Sequence, residues 1–227
     1  MTILNIETST NVCSVAISAS GKCIFSRSNA DGMNHATMLS PFIEEAFRFW
    51  APKKPDAIAV SGGPGSYTGL RIGVSTAKGL SYGLEIPLIA IETLEIIALM
   101  AKNRIENPSE NSLLCAMIDA RRMEVYSAFY DFDGNLFRNV SADIIDENSY
   151  ANLLENNTIY FFGNGAPKCK AILTHTNAIF IDDIVPLAEN MISLAENAFL
   201  EQKFADVAYY EPFYLKEFYT TAPKSIN

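Results

Sequence analysis

The chain passes twice through one series of elements, and that repeat limits its fold more than any other feature. Thr2 to Glu7 is a short apolar run, Val12 to Ser18 alternates, and Lys22 to Ser28 follows a Ser20-Gly21 turn, so the first half opens as a three-stranded meander. Asn34 offers an N-cap for a helix over Ala36 to Trp50, where Leu39, Ile43, Ala46, Phe47 and Trp50 recur at helical spacing; Pro52 and Pro55 end it. A strand at Ala57 to Ser61, a helix from Ser66 to Leu84, a strand at Leu88 to Ile91 and a helix from Glu92 to Arg104 complete that half. After the polar stretch "NRIENPSENS" the order returns, with strands at Leu113 to Asp119, Glu124 to Asp131 and Leu136 to Ile145, and Asp133-Gly134 as a hairpin turn. A helix over Glu147 to Glu155, a strand at Thr158 to Gly163, a helix over Ala166 to Thr174, a strand at Ala178 to Ile181 and a helix from Leu187 to Leu200 follow.

Each half reads βββαβαβα. Such an order predicts a duplicated α/β lobe around a mixed five-stranded sheet, the hairpin strands antiparallel and the crossover strands parallel. The expected division is a first lobe over residues 1–106 and a second over 107–227, the last helix and tail packing back on the first lobe. A hydrophobic share of 49% supplies the core. The start "MTILNIETSTNVCSVAIS" has no basic leader, and no run reaches the ~18 apolar residues of a membrane span, so a cytoplasmic protein without a membrane partner is expected. Cys13, Cys23, Cys115 and Cys169 stand singly in apolar or β-like segments and read as buried reduced thiols. With 26 acidic against 17 basic residues, a net charge of −9, the surface repels polyanions, so any nucleic-acid role is expected to run through a partner.

"SGGPGSYTGLRIGVSTAKGL", Ser61 to Leu80, looks at first like a phosphate loop. It has neither the Gly-Lys-Ser/Thr ending of a Walker loop nor the spacing of a dinucleotide fingerprint, since Thr68 stands where the last glycine belongs. What remains is a tight turn at Gly62 to Gly65 feeding a helix capped by Ser66, whose free N–H groups could take an anion. Inside that helix Gly69, Gly73 and Ala77 share one face, flanked by Ser66, Ile72, Thr76 and Leu80. An interior glycine costs a helix about 1 kcal/mol relative to alanine, so the stripe implies close approach of another backbone, from the first helix of the same lobe or from a second protein.

"GGPGSYTGLRIG", with "NIETST", "IDARRMEVY" and "EPFYLK", resembles the TsaB (YeaZ) family over nearly the whole chain. The resemblance implies the actin-like, sugar-kinase-like (ribonuclease H-like) ATPase fold. It also implies a subunit of the bacterial machinery that makes threonylcarbamoyladenosine beside the tRNA anticodon, with the catalytic subunit TsaD and the ATPase TsaE as partners. In that fold phosphates lie between two hairpins. Glu7, Thr8, Ser9 and Thr10 stand at the first as a vestigial nucleotide site, while "IDARRMEVYS" puts Asp119, Arg121 and Arg122 at the second with no glycine, and only "GNGAP" stands for the adenosine glycines. Hydrolysis by this chain is not expected, and no cofactor is.

TsaD carries its metal on His-x-x-x-His after a matching strand; those places here are Thr93 and Ile97, which do not ligate a transition metal. His35 and His175 read as capping or surface histidines. A protease reading fails for want of His-Glu-x-x-His or Gly-x-Ser-x-Gly, and Glu44-Glu45 and Asp182-Asp183 read as solvated pairs. The sequence therefore points to a non-catalytic scaffold whose partner interface comprises His35, Leu39, Ile43, Phe47, Ser66, Gly69, Ile72, Gly73, Thr76, Ala77 and Leu80. Through this face it would bind TsaD, help recruit TsaE, meet tRNA only through the complex, and pair with itself when the partner is absent. The alternative from another class is a stand-alone ATPase or kinase using Glu7, Thr8 and Ser9. A third reading makes Lys53, Lys54, Arg121, Arg122, Lys168 and Lys170 a local tRNA patch.

Overall fold

The computed structural model describes residues 1–32, 34–51 and 53–215; Pro52, Lys216 and the tail "YTTAPKSIN" lie outside them. The first lobe contains β1 (Thr2–Glu7), β2 (Cys13–Ala19), β3 (Lys22–Asn29), α1 (His35–Trp50), β4 (Ala57–Gly63), α2 (Tyr67–Leu84), β5 (Leu88–Glu92) and α3 (Thr93–Lys102). β1 runs antiparallel to β2, with Glu7 opposite Ser14, and parallel to β4, giving the order β3-β2-β1-β4-β5. The second lobe contains β6 (Ser112–Asp119), β7 (Glu124–Tyr130), β8 (Leu136–Ile144), α4 (Ala151–Leu154), β9 (Thr158–Phe162), α5 (Ala166–Cys169), β10 (Ala178–Ile181), a 3-10 turn (Ala188–Met191) and α6 (Ile192–Leu200). Its order, β8-β7-β6-β9-β10, repeats that of the first. Two such sheets make the duplicated ribonuclease H-like arrangement expected from the sequence.

The strands lie where alternation and turn residues predict them; three helices do not. The segment 147–155 keeps one α-turn, α4, because Asp146 and Ser149 bond the local backbone and Tyr150 takes a left-handed φ of 63°. The segment 166–174 keeps one turn, α5, and 187–200 splits into the 3-10 turn and α6. Asn34 does not cap α1 with its side chain, which donates to the Asp31 carbonyl instead.

β1 and β4 are buried on both faces because helices cover each side of the sheet. Leu4, Ile6, Ile58 and Val60 meet Leu39, Phe42 and Ile43 of α1 and Val74 and Ala77 of α2. On the other side Ile3, Ala59 and Ile89 meet Ile96 of α3 and Met191 and Ala195 from the chain's last elements. Fully burying an aliphatic side chain of this size contributes roughly 1.5–3 kcal/mol, so these layers hold the end of the chain against the first lobe. Leu94, Ile97, Ala98 and Ala101 of α3 also pack on Leu114, Ala116, Ile118 and Phe162 of the second lobe, an apolar seam between the two.

Beyond α6 the chain becomes a strap over the first lobe. Ala205 N donates to Leu88 O at 2.8 Å, Phe213 N to Gly62 O at 2.7 Å, and Lys78 Nζ to the Tyr210 carbonyl at 2.8 Å. Among the described residues no helix is long and apolar enough to cross a membrane. Cys13, Cys115 and Cys169 are buried, whereas Cys23, expected inside, is exposed on the edge strand β3.

Candidate functional site

The tip of the β1–β2 hairpin lies beneath the start of α2. Ser66 N donates to Ser9 O at 2.6 Å, and Ser66 Oγ accepts from Gly69 N at 3.3 Å, capping the helix. A methyl group on Gly65 would overlap the Ser9 carbonyl, one on Gly69 the Thr8 carbonyl, and one on Gly73 the Thr8 hydroxyl. The close-approaching backbone that the Gly69-Gly73-Ala77 stripe implies is therefore neither α1 nor a second protein. It is the chain's own hairpin, and the stripe is sealed inside the first lobe. Gly62 and Gly63 serve the strap in the same way, facing the Tyr210 hydroxyl and, at 2.7 Å from a built methyl, the Phe213 carbonyl.

This packing also fills the phosphate place. Glu7, Thr8 and Ser9 are fully buried and Thr10 nearly so. Glu7 Oε1 accepts Ser9 N at 2.5 Å, while Glu7 Oε2, Thr8 Oγ1 and Ser9 Oγ have no well-formed hydrogen bond among the described residues. Burial pushes the Glu7 carboxyl up from its ordinary value, opposed by hydrogen bonds from Ser9 and Ser61. At the second hairpin Asp119 is bonded to Lys168. A nucleotide's phosphates do not fit: the loop expected to offer free N–H groups rests on Ser9, and the hydroxyls expected to bind phosphate have no path to it.

The expected interface residues divide into two sets. His35, Leu39, Ile43, Gly69, Gly73 and Ala77 are buried, so they support the outer surface without forming it. His35 is not a surface histidine, for its Nε2 lies 3.2 Å from the Val12 carbonyl; His175 is exposed. Ser66, Phe47, Ile72, Thr76 and Leu80 are half-buried, with Phe47, Ile72 and Leu80 packed on the core shared by α1 and α2.

The sequence reading missed the other stripe of α2. Ser75, Gly79 and Gly83, again four apart, are exposed, Tyr82 beside them is 80% exposed, and a methyl on Gly79 or Gly83 would meet nothing within 4 Å. Among the described residues nothing packs against either glycine, Gly79 inside the helix and Gly83 in its last turn. Their spacing is the signal that could have found them.

Thr93 and Ile97, at the places compared with metal ligands, are fully buried; Ile97 belongs to the apolar seam and Thr93 Oγ1 has no partner. Among the described residues no group of three or more His, Cys, Asp or Glu side chains is placed to hold a metal ion. The six cations of the third reading fall on two lobes. Lys53 lies over the Trp50 ring at 5.2 Å, Lys54 donates to Leu84 O at 3.1 Å, Lys168 is bonded to Asp119 and Lys170 pairs with Asp182 at 3.2 Å, leaving exposed Arg121 and Arg122 without an ion pair among the described residues.

Residues 32–218 match the model of the TsaD family, described as tRNA N6-adenosine threonylcarbamoyltransferase. The "tRNA threonylcarbamoyladenosine biosynthesis protein TsaB" of Haemophilus influenzae is 31% identical over 95% of this chain and 94% of its own length. Its namesake from Escherichia coli is 30% identical over 95% of each. The chain belongs to the TsaB family. YeaZ from Pseudomonas aeruginosa superposes with a TM-score of 0.78 at 28% identity, covering 94% of this chain and 99% of that one. In this TsaB-family chain Gly65, Gly69 and Gly73 are a packing device: they let α2 settle on Ser9 and Thr8, which fixes the side that α2 turns outward.

Proposed function

We propose that the chain is a non-catalytic scaffold subunit in tRNA threonylcarbamoyladenosine biosynthesis, and that the outer face of α1 and α2 binds and orients a TsaD-type catalytic subunit. The observation that carries this reading is the open pair Gly79 and Gly83 on the outer side of α2, which leave room for a foreign backbone and meet nothing among the described residues. Half-buried Phe47, Ile72, Thr76 and Leu80, with exposed Tyr82, supply apolar and small contacts on the same two helices. The matched TsaD model supports a partner built on the same plan, so that two equivalent helix pairs would meet. A TsaE-type ATPase would join the pair, tRNA would be modified by the partner, and two copies of this chain would dock through the same face when the partner is absent.

The packing of Gly65, Gly69 and Gly73 on Ser9 and Thr8 favours the scaffold over the stand-alone ATPase reading. Mixing the purified chain with a TsaD-family protein and measuring mass by light scattering tests the proposal. Formation of a stoichiometric complex, with no ATP turnover by the chain alone, is expected. Two species that elute separately, or turnover by this chain alone, would overturn it.

A further inference from the structure

The β6–β7 hairpin closes on two residues that its backbone alone would not select. Arg121 and Arg122 carry left-handed φ angles of 69° and 49°, where glycine or asparagine is the less strained choice. The turn is well made nonetheless: Glu124 N donates to Arg121 O at 3.2 Å and Ala120 N to Glu124 O at 3.1 Å. Lys168 braces both stems, bonding the Asp119 carboxylate and donating to the Glu124 carbonyl at 2.6 Å. Asp119 is further held by Arg121 N at 3.1 Å and, through its own N–H, by Asn164 Oδ1 at 2.9 Å. The nearby carboxylate is thus engaged with Lys168 and the backbone, and neither exposed guanidinium has a carboxylate partner among the described residues.

A chain of net charge −9 therefore projects two adjacent cations from a braced tip, in a left-handed turn that the hairpin needs but that glycine or asparagine would make with less strain. A ligand accounts for that choice where packing does not. Guanidinium groups match phosphate oxygens with paired hydrogen bonds. Around the tip the polar Asp119, Asn164 and Lys168 outnumber the one exposed apolar neighbour, Ile144, whereas the centre of a protein interface is apolar. We infer that Arg121 and Arg122 hold backbone phosphates of the tRNA while the partner acts on it, a direct RNA contact by this chain that rests on the scaffold reading above. Elsewhere the acidic surface keeps RNA away, so the contact is local and orients the substrate.

The test uses the complex of this chain with its TsaD-type partner and titrates tRNA over a series of salt concentrations. The variant is Arg121→Asn with Arg122→Gly, which suits the left-handed turn, and Lys53→Met with Lys54→Met is the charge-matched control. Two lost phosphate contacts should lower the slope of log affinity against log salt by about 1.5 and weaken binding about tenfold, while the control leaves the slope unchanged. The variant's melting temperature should be equal or higher. Equal affinity and slope in variant and wild type would overturn the inference, as would an equal effect in the control. Loss of co-elution with the partner in the variant would place the tip in a protein interface instead. ATP bound by wild type and not by the variant, with tRNA affinity unchanged, would assign the phosphates to a nucleotide. If the wild-type complex never forms, the scaffold reading fails and this inference falls with it; if it forms and binds tRNA identically in both proteins, the inference alone fails.

Discussion

The two lobes share one strand order and treat its corresponding parts in opposite ways. In the first, the opening hairpin is covered: Thr8 and Ser9 sit in the glycine stripe of α2, and Glu7 is closed off behind them. In the second, the corresponding hairpin stands free, braced by Lys168 and tipped by Arg121 and Arg122. The helices differ as well, α1 and α2 having 16 and 18 residues where α4 and α5 have four each. Strand order therefore fixes the path of the chain but not its uses. Long crossover helices give the first lobe an outer face on which another protein can lie, and a stripe of absent side chains decides which side of α2 faces out.

The sharpest way to break that contrast is Gly69→Leu. A leucine cannot share space with the Thr8 carbonyl, so the variant should fail to give a cooperative unfolding transition; an intact transition would mean that the first hairpin is as free as the second. Even Gly69→Ala should lose about 3 kcal/mol in urea titrations, the upper range for overpacking.

Glu7 comes next. Burial raises its folded carboxyl above the 4.5 of an unfolded chain, so the fold favours the neutral form more than the unfolded chain does. The stability it contributes is complete below that value and is lost as pH rises toward the folded pKa. Glu7→Gln should gain in stability relative to the wild type as pH rises from below 4.5, as read by urea midpoints. A variant that loses stability relative to the wild type over that rise would mean that the carboxyl is charged in the fold.

On the outward side the sign reverses. At concentrations too low for self-pairing, Gly79→Ala should stabilise the chain by about 1 kcal/mol, raising the melting temperature by roughly 2–4 °C, and Gly83→Ala, next to the helix end, by less, because no described neighbour resists the added methyl. Destabilisation at either would show that the face is already covered. The smallest effect is expected at Lys78→Met, which frees the strap carbonyls of Ala208 and Tyr210. Amide exchange at Phe213 should quicken with little change in global stability.

Much of this was legible in the residues. Alternation in Cys13 to Ala19, the Ser20-Gly21 and Asp133-Gly134 turns, and apolar runs such as Ala57 to Val60 place all ten strands and their repeat. Local side-chain bonds from Asp146 and Ser149 shortened a helix that periodicity extended. The direction of α2 was not legible, since Gly69-Gly73-Ala77 and Ser75-Gly79-Gly83 have the same spacing and nearly the same composition. What distinguishes them is Thr8, far away in the chain and adjacent only once β1 and β4 pair. His35 was misplaced for the same reason, its partner being the Val12 carbonyl.

The central claim is that the outward glycines of α2 receive the catalytic partner. Calorimetric titration of the TsaD-type protein into Gly83→Leu, after circular dichroism has confirmed a wild-type fold, tests it most directly. The affinity should fall at least about hundredfold, the loss of nearly 3 kcal/mol that a bulky side chain at a close helix contact entails. Unchanged affinity in a folded Gly83→Leu chain would contradict the account.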